Sequence, residues 1–332
     1  MASSPRVLQF NDCAFVARAT VRAAERAGLA WDYMPPDQVR PMTAAPANPL
    51  LAKARLVPYM ARRAAKLRSA EVVHVHYGTS VRLIKERGMP ARPYVLTLHG
   101  TDIRKQWKEP AFHDEIQRAI DGAAHVFYAN TDNQEDAVSA RADAEFLPSL
   151  VDFPNLPSWE PEAPPKVLFI SRWDDDKGVD RQLRLVERLN AAVRGKAELV
   201  GIKWGPGAAE AQRLGVKMLD RLPQPEYYRQ LATASVGIGQ ASDYFSTSEF
   251  EALCMGVPVA ALGDRRPRPD DKTVPPVMEG TVDEVVEQVL EALNDPKAAA
   301  DRLGGAAWAI PRYDAAGYVP ALEGLYRSLA RR

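Results

Sequence analysis

The sequence predicts an α/β protein of two doubly wound, Rossmann-like domains facing a central cleft. Three observations carry that prediction. Short buried-type strands alternate with helical stretches twice along the 332 residues, the pattern of parallel strands joined by crossover helices. Between the two series lie Pro148, Pro154, Pro157, Pro161, Pro164 and Pro165, which make a stiff, extended linker. The length suffices for two cores of ordinary size. The expected division is 1–155, then 156–310, then a C-terminal helix within 311–332 that packs back on the first domain.

In the first series Val7–Phe10 is a short apolar strand, and Ala14–Ala27 is a helix stopped by Gly28. Leu29–Met34 is the next strand, ended by Pro35 and Pro36. A basic helix covers about 51–67. The runs Val72–His76, Tyr94–Leu98 and His125–Ala129 read as buried strands. The second series has strands at Val167–Ser171, Ala197–Ile202, Val216–Asp220, Ser235–Gly239 and Val257–Leu262. Its helices lie near 178–193, 224–234, 247–255 and 282–294, and a last helix spans about 315–330.

Composition narrows the classes. With 46% apolar and 26% charged residues and no net charge, the chain has the profile of an ordinary globular enzyme. Residues 1–150 carry 20 Lys/Arg against 16 Asp/Glu, and the remainder 23 against 27. That asymmetry is too small for the electrostatic footprint of a nucleic-acid binder. Only Cys13 and Cys254 are present, which argues for a reducing compartment rather than a disulfide framework. No apolar run reaches membrane-spanning length, and the first residues lack a signal-peptide core. A cytoplasmic protein is expected.

The chemistry concentrates in two segments of the second half. Ser246-Thr-Ser-Glu249 and Ser248-Glu-Phe-Glu251 are overlapping capping boxes, so a helix starts between Ser246 and Glu249. Its N-terminus presents backbone N–H groups and a positive dipole end, which suits a phosphate. Upstream, Arg172 leaves the carboxyl end of a strand and Lys177 sits where the next helix begins. Two cations beside helix N-termini suit a diphosphate, and open α/β sheets bind ligands at this edge.

Together these residues resemble the retaining GT-B glycosyltransferases of the glycosyltransferase 4 type. That family carries an Arg, then Lys-Gly five residues later, then Glu, seven residues and Glu-Ala, closing with Gly-x-Pro-Val. Here the matches are Arg172, Lys177-Gly178, Asp243 in place of the first Glu, Glu251-Ala252 and Gly256-Val-Pro258-Val259. The resemblance implies a GT-B fold and a hexose moved from a UDP- or GDP-linked donor to a hydroxyl acceptor, with no bound metal and no further cofactor. Arg172 and Lys177 would meet the charge on the leaving diphosphate, Asp243 the hexose and Glu251 the ribose. The family's Gly-Phe-Gly is Tyr244-Phe245-Ser246 here, with Ser246 and Thr247 left to donate through N–H and hydroxyl. The Thr-Leu-His99-Gly segment looks like its family counterpart, where the histidine lies near the anomeric carbon. Asp102 would orient His99 or an acceptor hydroxyl. The loop after the first strand, Asn11-Asp12-Cys13-Ala14, lacks both the family's paired glycines and the fingerprint of a dinucleotide enzyme. Asn11 and Asp12 are the acceptor-side candidates.

Several features invite a second chemistry. Asp174-Asp175-Asp176 has the look of a metal motif, but aspartates before a helix start are favoured in any case. His74 and His76 share a face of one strand at metal-pair spacing, without further ligands in sequence, and read as structural. The basic stretch 53–68, with Leu, Val, Tyr and Met between its charges, is either a solvated face or a peripheral contact with anionic membrane at its inner face. Two rival readings share the fold: a nucleotide-binding module without turnover, and a glycosyltransferase acting on modified DNA bases.

Overall fold

The computed structural model describes residues 4–331. The chain divides into two compact units: the described residues up to Asp152 together with those from Ala315 onward, and Phe153–Asp314.

The first unit holds strands β1 (Val7–Phe10), β2 (Asp32–Met34), β3 (Val72–His76), β4 (Tyr94–Leu98), β5 (His125–Tyr128) and β6 (Glu145–Phe146). All pair in parallel, in the order β2-β1-β3-β4-β5-β6. The order reverses between β1 and β3, so the loops leaving those strands diverge there. Alternation sorts the side chains. Leu8, Phe10, Val73, Val75, Leu96 and Leu98 enter one apolar layer. Val7, Val72 and Val95 enter the other, where Leu322, Tyr326 and Leu329 of the helix Val319–Ala330 cover them. The chain's last helix thus packs on the first sheet. Pro320 sits at its second position, where the missing N–H costs nothing, and a 3-10 turn Ala315–Gly317 precedes it. Pro311 lies inside the preceding helix, Gly305–Tyr313, rather than between helices.

The second unit holds β7 (Lys166–Phe169), β8 (Glu198–Ile202), β9 (Lys217–Leu219), β10 (Val236–Ile238), β11 (Val259–Leu262) and β12 (Met278–Gly280). Its order is β12-β11-β10-β7-β8-β9, again all parallel. This is the Rossmann arrangement, with the switch point between β7 and β10. The helix Val179–Val193 buries Val179, Leu185, Val186, Leu189 and Val193 against that sheet, each apolar side chain contributing about 1.5–3 kcal/mol when fully covered.

Some expected elements shift. The first helix begins at Val16 because Ala14 and Phe15 are left-handed, at φ 51° and 64°. The basic helix breaks at Arg55–Leu56 into Pro49–Ala54 and Val57–Ser69, with Pro58 in the first turn of the second. The two-residue strand β6 and the three-residue edge strand β12 were not foreseen, being too short to show alternation.

Candidate functional site

At the switch point of the second sheet, two loops are stitched together. After β7 the chain runs through Arg172 to the 3-10 turn Asp175–Lys177 and then Gly178. Gly178 has φ 71°, and a Cβ there would lie 3.0 Å from the Cβ of Ala241, so both backbone and space require glycine. After β10 the chain returns along this loop. Ala241 N–H donates to the Lys177 carbonyl at 2.9 Å, Ser242 Oγ donates to the Asp176 carbonyl at 2.9 Å, and Arg181 reaches the Ala241 carbonyl.

Lys177 crosses the junction. Its Nζ donates to Gln240 Oε1 and to Ser246 Oγ, each at 2.6 Å. Ser246 caps the helix Thr247–Met255 in a capping box with Glu249, as the sequence predicts. The box corrects one expectation. Glu249 Oε2 accepts the Ser246 N–H at 3.0 Å, and its Oε1 accepts the Gln240 N–H at 3.1 Å. The Ser246 N–H is therefore engaged by a buried carboxylate, and its hydroxyl bonds Gln240. The backbone N–H groups of Thr247 and Ser248, by contrast, have no protein partner among the described residues.

Glu251 is buried on the second turn of the helix. It accepts the Tyr228 hydroxyl at 2.6 Å, and Tyr228 in turn accepts Gln224 Nε2 at 2.7 Å. Neither partner was visible in sequence, where Glu251 had only the neighbouring Ser248 to answer. Asp243 is half-exposed, at 48%, and paired with Arg266 of the loop after β11; the Arg266 N–H also donates to the Asp243 carbonyl at 2.8 Å. Arg172 is 37% exposed, bonds Asp174 through Nε at 3.1 Å, and lies over the Trp204 ring at 5.2 Å, with Arg221 over the same ring at 4.2 Å. The Phe245 side chain is buried against Phe250 and beneath Arg265, which leaves only its backbone to face a ligand. No group of side chains suited to a metal ion occurs among the described residues.

In the first unit a row of polar residues lies on one face of the sheet, beneath the last helix. His99 Nε2 meets His76 Nδ1 at 2.9 Å, and His76 Nε2 meets Gln9 Oε1 at 2.9 Å. His74 bonds Tyr326 and Thr97, each at 2.6 Å, and stacks on His76 at 4.6 Å. Burial holds His74 and His99 down to about 3 and His76 well below its ordinary value, so all three are neutral. The row confirms a structural part for His74 and His76 and ties them to His99.

The other first-unit candidates are held by hydrogen bonds within the unit. Asp102 is fully buried and accepts the N–H groups of Gly78, His99, Gly100 and Ile103 at 2.9–3.1 Å. Through the His99 N–H it fixes the backbone that carries this imidazole. Asp12 accepts the Ala17 and Arg18 N–H groups and the Tyr33 hydroxyl, serving as the cap of the first helix; burial raises its pKa. Asn11 spans the switch point of the first sheet, donating to the His76 carbonyl at 2.9 Å and Ser80 Oγ at 3.0 Å. Asn11, Ala14 and Phe15 all have positive φ, so the loop adopts without glycine a backbone that glycine makes easily.

No protein-family profile matches this sequence, and no curated protein matches it. Solved structures do. A sucrose-phosphate synthase from Thermosynechococcus elongatus superposes with a TM-score of 0.65 at 15% identity, over 98% of this chain and 99% of the other. AviGT4, a glycosyltransferase involved in avilamycin A biosynthesis, gives 0.64 at 17%, over 98% of both chains. Anabaena HepE in complex with UDP and glucose gives 0.65 at 14%, over 98% and 100%. The fold is that of the GT-B glycosyltransferases, as the motifs imply.

Proposed function

We propose that this chain is a metal-independent glycosyltransferase that moves a hexose from a UDP- or GDP-linked donor to a hydroxyl acceptor with retention of configuration. The observation that supports it best is the Lys177–Ser246 contact of 2.6 Å at the switch point of a Rossmann sheet. It joins the basic segment and the acidic helix into one constellation at the edge where such sheets bind ligands.

In this reading Lys177, Arg172 and the first-turn N–H groups of Thr247 and Ser248 receive the diphosphate. Glu251, oriented by Tyr228, accepts the two ribose hydroxyls, and Asp243 takes a hexose hydroxyl once Arg266 yields or shares it. The bond from C1 to the phosphate oxygen breaks, negative charge grows on the diphosphate, and fixed cations there stabilise the transition state. The acceptor oxygen bonds C1 from the same face and its proton passes to the departing phosphate oxygen. No separate protein base is needed. HepE, of the same fold, is a complex with UDP and glucose, which favours a uridine donor.

Donor turnover tests this. Purified protein incubated with UDP-glucose, UDP-GlcNAc or GDP-mannose and simple alcohols should release the nucleoside diphosphate and an α-glycoside from an α-donor. A β-product would contradict retention, and nucleotide binding without any release would favour the non-catalytic module.

A membrane contact is supported by a separate observation. Leu50, Leu51, Leu56 and Val57 are exposed on the same stretch of chain as the exposed Lys53 and Arg62. Within the basic stretch, however, Arg63 is buried and pairs with Glu86, and Lys66 holds Asp32 at 2.7 Å. The surface for anionic lipid is thus apolar with fewer cations than the sequence offers. Flotation with phosphatidylglycerol vesicles, lost on replacing Leu50 and Leu51 by Ser, checks it.

A further inference from the structure

The buried row beneath the last helix has a direction. Tyr326 Oη accepts Gln9 Nε2–H at 3.1 Å, and among the described residues its own proton has one acceptor within reach, His74 Nδ1 at 2.6 Å. His74 Nε2 therefore carries the proton that goes to Thr97 Oγ1. On the other side, Gln9 presents its carbonyl oxygen to His76 Nε2. An amide oxygen only accepts, so His76 is protonated at Nε2 and bare at Nδ1. His76 Nδ1 faces His99 Nε2, which must then carry the proton.

We infer that Gln9 and Tyr326 are positioning residues that hold His99 as its Nε2–H tautomer, so that it meets a ligand hydroxyl as a hydrogen-bond acceptor through Nδ1. Strand register makes the row possible. Gln9 is opposite His74, and His76 is opposite Thr97, so all four side chains leave the sheet on the face that Tyr326 covers. Tyr326, His74 and His76 each have one donor and one acceptor in use, and the amide of Gln9 sets the sense for both ends. The three imidazoles must share one tautomer. Under the glycosyltransferase reading, on which the ligand class rests, the hydroxyl belongs to a sugar, and a group with no proton at Nδ1 cannot donate to the leaving group.

The tautomer is measurable without any substrate. The chain has five histidines, so two-bond proton–nitrogen correlation on protein labelled with nitrogen-15 at histidine resolves them, with His99→Gln to assign His99. The expected result is a protonated Nε2 and an unprotonated Nδ1 at His74, His76 and His99 alike, unchanged between about pH 5.5 and 8. An Nδ1–H signal at His99, a mixed set, or an imidazolium in that range overturns the inference on the wild type alone. Tyr326→Phe removes the oxygen that anchors the Gln9 amide, and His99 should then become a mixture of tautomers. A His99 that stays wholly Nε2–H in a folded Tyr326→Phe protein would remove Tyr326 from the device. Adding UDP-glucose should move the His99 Nδ1 resonance and leave Nε2 in place. If the tautomer holds and no nucleotide sugar has any effect, the glycosyltransferase reading fails and the tautomer assignment stands.

Discussion

Lys177 Nζ and Ser246 Oγ lie 2.6 Å apart although 69 positions separate them in the chain. The contact exists because β7 and β10 are neighbours in the sheet, so the loops leaving them meet at one edge. Lys177→Ala removes the cation and unties the loops. Transfer should fall by about 10²–10³, the usual loss of one group that stabilises developing charge. Ser246→Ala should cost about 1 kcal/mol of stability through the lost cap, with a smaller loss of turnover. Equal losses from the two variants would place Lys177 in a structural part only.

The Gln224–Tyr228–Glu251 series predicts ribose discrimination. With Tyr228→Phe, Glu251 loses a charge-assisted hydrogen bond, and UDP should bind about tenfold more weakly, a change of roughly 1.4 kcal/mol. The wild type should prefer UDP to 2′-deoxy-UDP, and Glu251→Gln should narrow that preference. Titration calorimetry with both nucleotides reads each effect. An unchanged preference in Glu251→Gln would take Glu251 out of the ribose site.

Asp243 and Arg266 form a pair in which each side chain is 48% exposed. Such a pair contributes at most about 1 kcal/mol. Asp243→Asn should therefore unfold within a few degrees of the wild type while losing at least tenfold in transfer. Thermal unfolding and initial rates measured on the same sample separate stability from chemistry.

Acid stability should report the buried imidazoles. Their folded values lie below their ordinary value, at about 3 for His74 and His99. As pH falls below about 6.5 the unfolded chain takes up protons that the folded chain refuses, so stability drops through the window from about 6.5 to 3 and is level above it. Each group contributes up to about 1.4 kcal/mol per pH unit. His99→Gln should flatten the fall of Tm between pH 6 and 4, and an unaltered slope would mean that His99 is protonated in the fold.

The sequence was most legible where the cause is local. The capping box at Ser246 and Glu249 needs residues three apart, and the helix begins where it says. Strands β3 and β4 stand at their expected limits because continuous apolar runs mark buried parallel strands. Partners were less legible, since they depend on which strands become neighbours. Glu251 was read against Ser248 but is held by Tyr228 from another helix, and Asp243 by Arg266 from a loop that carried no signal. Asp12 and Asp102 looked like ligand carboxylates because they sit at strand ends. Their oxygens are used by the backbone N–H groups that those turns leave exposed. Gln9 and Tyr326 were invisible for the same reason, as a polar residue within an apolar strand shows its purpose only when the facing helix is in place.

The diphosphate site is tested by thermal unfolding of the wild type and Arg172→Ala with UDP, GDP, ADP and their sugar conjugates. A nucleotide at about 100 times its dissociation constant adds about 2.7 kcal/mol, which for units of this size is a rise of roughly 2–4 °C per kcal/mol. Uridine or guanosine diphosphates should stabilise the wild type, and the effect should be lost in Arg172→Ala. No shift with any nucleotide in the wild type would contradict the site.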